Sequence, residues 1–494
     1  MALRLYNTRT RAVEPFVPIE RGKASVYVCG MTPSFHPHLG HARTFLTFDL
    51  LCRHLRAQGY AVTYVQNVTD IDDRIIDRSH IEGVPWTDVV ARYLGEYEWC
   101  ATRLGLAQPD VSPRATDEMH GIIAFVQELI DKGAAYETTD GVYFAVESFP
   151  SYGQLSRRNI DELRAGERIA VREEKRDPLD FALWKKAKPK EPTWPSPWGP
   201  GRPGWHIECS EMCRHYLGGQ FDIHGGAADL VFPHHENEVA QTEKVTGLHP
   251  MANFWVHAGL LQVDGQKMSK SLGNFIPLKT FLEQHSAAAI RYLFLQTGYR
   301  KPSNFTPAAL EAAAKGLRGL YSDLESLRSM ASQHAASADA VNTPEFDAYL
   351  DDDLNTSGAV GWLQKTVRDK RLQAAQRSAA EQAAAAAETV AKADRCLAIL
   401  GLPLTEHAAG LTAAPGTMAL TESQRAALQA LVDGSGGFEL DDAKLIERVV
   451  ARRNAERASK NFAESDKLRA ELLKAGVVVR DSTSGTEWSF NGSS

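Results

Sequence analysis

The feature that most constrains the fold is a strand–helix–strand pattern near the start of the chain. Residues 25–29 and 62–65 are two short runs of β-branched and aromatic residues. Between them, apolar side chains recur at three- and four-residue steps from Phe45 to Leu55, which predicts a helix that starts near Gly40. Two such strands joined by a helix form a right-handed crossover within a parallel sheet. The pattern therefore predicts an α/β, Rossmann-type fold, in which ligands bind at the carboxyl ends of the strands.

The rest of the chain divides by composition into three predicted domains. An Ala-rich helical region follows the α/β part, and a short helical stretch before Val477 leads into a β-rich terminus. A segment rich in Pro, Trp and Gly, at 188–204, predicts a long loop without regular structure. The predicted units are a Rossmann-type domain at 1–310 with an insertion at about 85–200 and a loop region at about 260–310, a helical bundle at 311–432, and a small α+β module at 433–494.

Composition indicates an ordinary globular protein of a reducing compartment. Six cysteines among 494 residues do not make a disulfide framework, which predicts a cytoplasmic setting. The first residues lack the apolar run of a signal peptide, and no apolar stretch is long enough to span a bilayer, so we expect no membrane partner. The net charge of −7 argues weakly against a dedicated nucleic-acid coat but allows a local basic face.

Two short motifs predict a phosphate site. His38, Gly40 and His41 lie at the predicted helix start, where unpaired backbone N–H groups attract phosphate, and Gly40 lets a nucleotide approach closely. Lys267 and Lys270 lie in a Gly-flanked loop that could place positive charge on departing pyrophosphate. Taken singly, each histidine reads as a hydrogen-bonded turn residue and the lysines as a surface loop. Together they favour binding and reaction of a nucleoside triphosphate.

Thiol, imidazole and carboxylate groups predict a metal site. Cys29 ends the first strand, Cys209 lies far downstream, and His234 and Glu238 would share one face if Pro233 opens a helix. Thiolates with an imidazole favour zinc. Spacing alone leaves rival ligands open, and Cys209 could instead be a buried thiol on an apolar helix face. The rivals are Cys213, His206, His215, His224 and His235.

These motifs occur together with several longer marker segments, and as a set they resemble the cysteinyl-tRNA synthetase family of class I aminoacyl-tRNA synthetases. The resemblance is strong from about 3 to 310, weak in the Ala-rich region, and returns at 452–488. The marker segments are 27–30, 38–41, 67–73, 196–199, 201–210, 222–226, 232–238 and 267–274.

The resemblance implies a catalytic domain at 1–310 and an anticodon-binding module at 433–494. It implies a monomer that activates L-cysteine with ATP and Mg²⁺ to cysteinyl-adenylate and transfers it to tRNA-Cys, with one Zn²⁺ per chain selecting the thiolate. The implied zinc ligands are Cys29, Cys209, His234 and Glu238. The implied cysteine contacts are Gly30, Thr69 and Trp205, the ATP contacts His38, Gly40, His41 and Lys270, and the catalytic residues His38, His41, Lys267 and Lys270.

The chain departs from the family pattern at residues 32–35, which read Thr-Pro-Ser-Phe, and at Ala227, where a glycine is usual. The nearest rival enzyme is a cysteine ligase of the mycothiol pathway. Its relatives look shorter, lack the terminal module and do not supply the glutamate found here as Glu238. A non-catalytic relative would be expected to have lost His41 or Lys270.

The prediction of tRNA binding is based on a basic cluster in the terminal helices and on Trp488. Trp488 is a candidate stacking residue that could equally be structural. The basic cluster, which could instead be a solvated helix face, comprises Arg452, Arg453, Arg457, Lys460, Lys467 and Arg469.

Overall fold

The structure is a computed structural model, and it describes residues 2–159, 174–268, 274–331, 341–374, 378–411, 420, 422–432, 442–459, 461–482 and 485–490. The chain forms two compact units, Met1–Leu404 and Thr405–Ser494. The boundaries of the three predicted domains stay predictions.

Short strands and longer helices alternate through the first part of the chain, and helices dominate after it. The strands are β1 (Arg4–Asn7), β2 (Ala12–Pro15), β3 (Lys23–Met31), β4 (Ala61–Val68), β5 (Ala135–Glu137), β6 (Gly141–Phe144), β7 (Phe181–Lys186), β8 (Gly201–Pro203), β9 (Phe221–Ala227), β10 (Ala252–Ala258), β11 (Leu261–Val263), β12 (Gln266–Lys267), β13 (Ser303–Phe305), β14 (Val477–Ser482) and β15 (Gly485–Phe490). The helices are α1 (Leu39–Ala57), α2 (Asp73–Glu82), α3 (Trp86–Arg103), α4 (Met119–Asp131), α5 (Trp205–Leu217), α6 (Glu236–Thr246), α7 (Leu278–Gln284), α8 (Ala287–Leu295), α9 (Pro307–Ala331), α10 (Pro344–Asp351), α11 (Thr356–Ala374), α12 (Ala379–Leu400), α13 (Glu422–Ala430), α14 (Asp442–Ala458) and α15 (Phe462–Lys474).

A four-stranded parallel sheet organises the first unit, in the order β10–β9–β3–β4. Helix α1 connects β3 to β4 and helix α6 connects β9 to β10, which confirms the predicted Rossmann-type α/β fold. The apolar stripe of α1 packs against the sheet through Phe48 and Leu51, which are fully buried. Because the strands are parallel, the residues that follow β3 and β9 meet at one edge of the sheet.

The insertion between β4 and β9 carries an antiparallel sheet in the order β5–β6–β7–β8. Strand β8 lies in the segment at 188–204 that was predicted to be entirely loop, so that prediction was wrong for Gly201–Pro203. Trp184 on β7 pairs with Pro203, and the partner strand orders a segment whose composition alone disfavours regular structure. Strand β8 ends at Pro203, and Gly204 alone separates it from α5.

A buried arginine ties the helical region to the sheet-forming part of the first unit. Arg291 on α8 is 2% exposed and forms an ion pair with Asp49 on α1. Its guanidinium also donates to the carbonyl of Leu400, at the end of α12, at 2.6 Å. A fully hydrogen-bonded buried charge of this kind fixes the relative positions of the helices it joins.

The second unit consists of α13–α15 and the β14–β15 hairpin around its own apolar core. Arg453 is 1% exposed, so its side chain does not lie on a surface that could bind phosphate. Trp488 is half-buried and packs against the core of this unit. Among the helices that the structure describes, none combines the length and the apolar character needed to cross a membrane.

Candidate active site

A cavity of about 500 Å³ opens at the carboxyl edge of the parallel sheet. Its lining includes Cys29 and Gly30, at the end of β3, and His38 and His41, at the start of α1. Trp205, the first residue of α5, lines it as well. Cys29, one of the predicted metal ligands, therefore lines the same cavity as the two histidines of the phosphate motif and Trp205, which is distant from them in the chain.

The two histidines of the phosphate motif form a stacked pair at the amino end of α1. Their ring centroids are 3.7 Å apart, and the backbone N–H of His38 donates to His41 Nδ1 at 3.1 Å. Burial, followed by the neighbouring groups His38 and Arg74, lowers the pKa of His41 well below its usual value. A neutral His41 that accepts at Nδ1 carries its proton on Nε2, so it presents one N–H donor in addition to the helix end.

Two glycines of the cavity are required by close packing. A Cβ at Gly40 would lie 3.0 Å from the imidazole of His38, so this glycine makes room for the stacked histidines. A Cβ at Gly30 would collide with the carbonyl oxygen of Asn67 on β4, and the Gly30 N–H donates to Asn67 Oδ1 at 2.9 Å. Gly30, which is predicted to contact the substrate, therefore also lies at a tight contact between β3 and β4.

The predicted metal ligands meet below the cavity. The ligand atoms of Cys29, His234, His235 and Glu238 all lie within 4.8 Å of one another, and all four residues are buried. The sulfur of Cys209 is 3.9 Å from that of Cys29, and both cysteines are free. The structure thus brings three of the four predicted ligands into one group, adds His235, one of the rival residues, and places the fourth, Cys209, beside Cys29.

The local backbone explains how one short segment supplies several of these donors. Helix α6 begins at Glu236, and a wide helical turn over Val231–His235 precedes it. His234 therefore lies one turn before Glu238, and its Nε2 is 3.1 Å from Glu238 Oε1. The shared face predicted for these two residues is present, although the helix starts three residues after Pro233.

Other histidines fix the orientation of these donors. His224 Nε2 lies 2.8 Å from Glu238 Oε2, which leaves Oε1 to face Cys29 and His234. The Nδ1 atoms of His206 and His234 are 2.8 Å apart, which leaves Nε2 of His234 for the cluster. Nε2 of His257 lies 2.8 Å from Nδ1 of His235, which leaves Nε2 of His235 for the cluster. Each of these three histidines thus contacts the atom of its partner that does not face the cluster, as residues around metal ligands commonly do.

The donor set fits a zinc ion. Burial raises the pKa of Glu238 well above its usual value, and burial together with Cys209 raises that of Cys29. Burial therefore disfavours the anionic form of both groups, whereas a bound divalent ion stabilises it. Thiolates, an imidazole and a carboxylate within one buried cluster are the ligands that zinc prefers.

Of the residues predicted to contact cysteine, Gly30 and Trp205 line the cavity, whereas Thr69, directly after β4, is not among its lining residues. The ring of Trp205 stacks on His234 with centroids 4.3 Å apart. Thr69 is 3% exposed, and its hydroxyl accepts from Asn67 Nδ2 at 3.2 Å. Trp205 is thus held by one of the predicted metal ligands, whereas Thr69 is held by a side chain of β4.

The lysine loop is only partly described. Lys267 ends β12, which pairs with β11, and Met268 lines the cavity. Lys270 lies outside the described residues. Its predicted role therefore rests on the sequence motif.

Arg74 is the residue of this site that the sequence reasoning missed. It lies on α2, lines the cavity, and places its guanidinium 5.3 Å from the centroid of the Trp205 ring. Its side chain also donates to Asp72 at 2.7 Å and to the Thr32 hydroxyl at 3.2 Å. The signal available in the sequence was its position directly after the marker segment 67–73.

The fold and the site define a class I tRNA synthetase. Residues 15–315 match the family described as tRNA synthetases class I (C) catalytic domain, and residues 443–488 match the Cysteinyl-tRNA ligase anticodon binding domain. The chain also shares its fold with a solved Mycobacterium tuberculosis methionyl-tRNA synthetase bound by methionyl-adenylate. That likeness has a TM-score of 0.59 at 15% identity and covers 78% of this chain and 93% of that one.

Two curated relatives narrow the class. The chain is 46% identical over 490 residues to the Cysteine–tRNA ligase of Stutzerimonas stutzeri (strain A1501), which covers 99% of both chains. It is 43% identical over 510 residues to the Cysteine–tRNA ligase of Pelobacter propionicus, which covers 99% of this chain and 100% of the relative. The chain belongs to the cysteine–tRNA ligase family.

Proposed function

We propose that this protein joins L-cysteine to tRNA-Cys in two steps, with ATP as the energy source and zinc as the element that selects cysteine. The observation that carries the proposal is one cavity that is lined both by Cys29, a member of the buried Cys/His/Glu cluster, and by an imidazole pair at a helix amino end. Amino acid and triphosphate would then meet at the boundary between these two walls.

In the first step, a carboxylate oxygen of cysteine attacks the α-phosphorus of ATP, and the bond to the β-phosphate oxygen breaks. Cysteinyl-adenylate forms and pyrophosphate leaves. Positioning and charge stabilisation suffice for such a transfer, so no protein nucleophile is needed. In the second step, a ribose hydroxyl of the terminal adenosine attacks the acyl carbon, and AMP leaves.

The phosphate wall is proposed to consist of the α1 amino end with His38 and His41. The helix end offers backbone N–H groups and a partial positive charge, and His41 offers its Nε2–H. Lys267 and Lys270 are proposed, from the motif, to add charge to the leaving pyrophosphate. Mg²⁺ is expected to accompany the triphosphate.

Cys29, Cys209, His234 and Glu238 are proposed to hold one zinc ion. When bound, zinc would take the substrate thiolate as a further ligand and would bind the hydroxyl of serine poorly. Pocket packing alone distinguishes groups of such similar size by only about 1–3 kcal/mol. His224 would keep Oε1 of Glu238 turned toward the ligand cluster by holding Oε2.

We propose Arg74 as a positioning residue for the reacting anions. Arg74 lies beside Trp205, which is proposed to contact the amino acid, and its charge also influences the pKa values of His41 and His234. Arg74 therefore stands near the junction of the two walls, where the cysteine carboxylate meets the α-phosphate. A guanidinium at that position can hydrogen-bond both negatively charged groups.

The second unit is proposed to bind the anticodon of tRNA-Cys. The support is its match at 443–488 and the exposed cationic side chains Arg452, Arg457 and Lys467 on α14 and α15. The same match, together with relatives aligned over nearly the whole chain, favours the synthetase over the mycothiol-pathway ligase and over a non-catalytic relative.

Two assays test the proposal. Cysteine-dependent exchange of pyrophosphate into ATP is expected with the purified full-length chain, and serine is expected to support it far less. Charging of purified tRNA-Cys then distinguishes a synthetase from an amino-sugar ligase. Exchange without charging would contradict the tRNA assignment, and no exchange with any amino acid would contradict the enzyme itself.

A further inference from the structure

A second group of potential metal ligands lies apart from the active-site cavity, where α4 and α5 pack together. Glu211 and His215 lie four residues apart on α5, one helical turn, and Glu118 directly precedes α4. We call these three side chains the Glu118–Glu211–His215 cluster. Cys209, an active-site residue, is on α5 too. It lies two residues before Glu211, so its side chain points about 200° around the helix from that of Glu211.

The three side chains already converge on a common point. His215 Nδ1 lies 2.9 Å from Glu118 Oε2 and 3.7 Å from Glu211 Oε1, and the ligand atoms of all three lie within 4.8 Å of one another. Ligands about 2.1 Å from a tetrahedral ion stand about 3.4 Å apart. The observed separations bracket that value, so small side-chain adjustments would suffice to hold an ion.

Glu211 gives an independent indication of a ligand. The residue is 4% exposed, and its Oε2 has no hydrogen-bond partner among the residues that the structure describes. A buried carboxylate oxygen without a partner is energetically costly. Helix α4 makes room for this carboxyl with Gly121, because a Cβ there would collide with Glu211 Oε1. Oε1 thus packs against Gly121 and faces His215, and Oε2 of the same carboxyl group is buried without a hydrogen bond from the described part of the chain.

We propose that the Glu118–Glu211–His215 cluster binds a second zinc ion, separate from the one in the active site. One imidazole and two carboxylates suit zinc better than magnesium, which favours oxygen ligands alone. The ion takes the position of the proton between His215 and the carboxylates and joins the start of α4 to α5. It braces the helix that carries Trp205 and Cys209, and it takes no part in the reaction.

The alternative for the same geometry is a set of ion pairs in which protonated His215 neutralises the two glutamates. Neighbouring charges are Arg214, which binds Glu128 at 2.9 Å, and Asp117, next to Glu118. Tyr216 also donates to Glu118 Oε1 at 2.5 Å, which leaves Oε2 for His215 or a metal. Direct measurement of metal binding separates the two possibilities.

The first experiment is equilibrium dialysis of the full-length protein against Zn²⁺, with bound zinc counted by mass spectrometry. Two equivalents per chain are expected for the unmodified protein. His215→Ala and Glu211→Gln are expected to bind the second equivalent at least tenfold more weakly. His120→Ala, which removes an exposed histidine of α4 outside the cluster, is the matched control and should bind two. Because His215 is half-exposed, its variant should fold even if Glu211→Gln does not.

The second experiment replaces zinc with Co²⁺ and follows the absorption of sulfur-to-cobalt charge transfer. The first equivalent, bound by cysteines, should produce this absorption, and the second should add none. The charging rate of His215→Ala should stay within about twofold of the unmodified protein. A single zinc equivalent in the unmodified protein, a second equivalent that survives in His215→Ala, added charge-transfer absorption, or loss of charging in His215→Ala would each overturn the proposal.

Discussion

Replacement of Glu238 by glutamine tests the proposed metal site with the least change in shape. Glu238 is fully buried, its Oε2 is held by His224 at 2.8 Å, and its Oε1 faces His234 at 3.1 Å and Cys29 at 3.6 Å. Glutamine keeps the volume but removes the negative charge. It also places an NH₂ group against either His224 or the ligand side, where an acceptor is required.

The size of the effect follows from these contacts. Loss of a charged partner in a buried hydrogen bond costs about 1.5–3 kcal/mol, and disturbance of groups that support a metal lowers its affinity roughly 10- to 100-fold. Since about 1.4 kcal/mol corresponds to a factor of ten, we expect the KM for cysteine to rise about 30- to 100-fold. The KM for ATP should change less than about twofold, because the phosphate wall is built on α1.

The assay is pyrophosphate exchange measured with cysteine and ATP varied separately, together with the zinc content of the purified variant. Glu236→Gln is the matched control, because Glu236 lies on the same helix and is equally buried. Its carboxylate instead accepts from the backbone N–H groups of Gly153 at 2.9 Å and Ser156 at 2.7 Å. This control should lose about 1–3 kcal/mol of unfolding free energy without a change in the ratio of the two KM values.

An equal rise of both KM values in Glu238→Gln would refute the reasoning, as would full zinc content with unchanged preference for cysteine over serine. The same change of the KM ratio in Glu236→Gln would show that general damage to α6, rather than loss of a ligand, accounts for the effect.

Four further predictions concern the remaining groups of the first unit. The lowered pKa of His41 keeps its imidazole neutral. The ratio of pyrophosphate exchange rates between the unmodified protein and His41→Asn should therefore stay constant from about pH 8 to about pH 6.5. A tenfold change of this ratio would show that His41 titrates in that range. Lys270→Ala should slow adenylate formation roughly 10²–10³-fold, on the order of 3–4 kcal/mol, in single-turnover measurements; an unchanged rate would remove Lys270 from the mechanism. Arg74→Met should lower kcat for exchange about tenfold or more while Arg74→Lys retains most of it, and equal loss in both would argue for a purely steric role. Arg291→Met should cost about 1.5–3 kcal/mol in urea unfolding, because the buried Asp49 loses this charged partner and keeps Arg53 at 2.9 Å. Burial would raise the pKa of Asp49, but Arg291 and Arg53 lower it below the ordinary value. The stability that this ion pair contributes is therefore present above about pH 3.9 and should be lost as the pH falls through the lower folded-state pKa. A difference in unfolding free energy between protein and variant that persists at lower pH would contradict this.

The fold of the catalytic part was accessible from the sequence because its signals are local. The three- and four-residue spacing from Phe45 to Leu55 reflects one buried face of α1, and the flanking β-rich runs became β3 and β4. The prediction for Gly201–Pro203 was wrong because the strand depends on a partner, β7, and neighbours in the chain do not reveal it.

The composition of the site shows the same division between local and distant information. The spacing of His234 and Glu238 lies within one helical turn, and the sequence alone therefore placed them on one face. Which of the rival histidines join them depended on how β9, β10 and α5 pack: His235 enters the cluster, His224 and His206 support it, and His215 faces Glu118 instead.

Residue order and periodicity thus established the α/β class, the helix that begins at the imidazole pair, and the donors available for a metal. Folding in three dimensions decided which donors meet, that Arg74 stands beside Trp205, and that Glu211 is enclosed between two helices. The physical reason is that periodicity records which face of an element is buried, whereas a site is made by side chains from strands and helices far apart in the chain. Their meeting is set by packing of the whole unit.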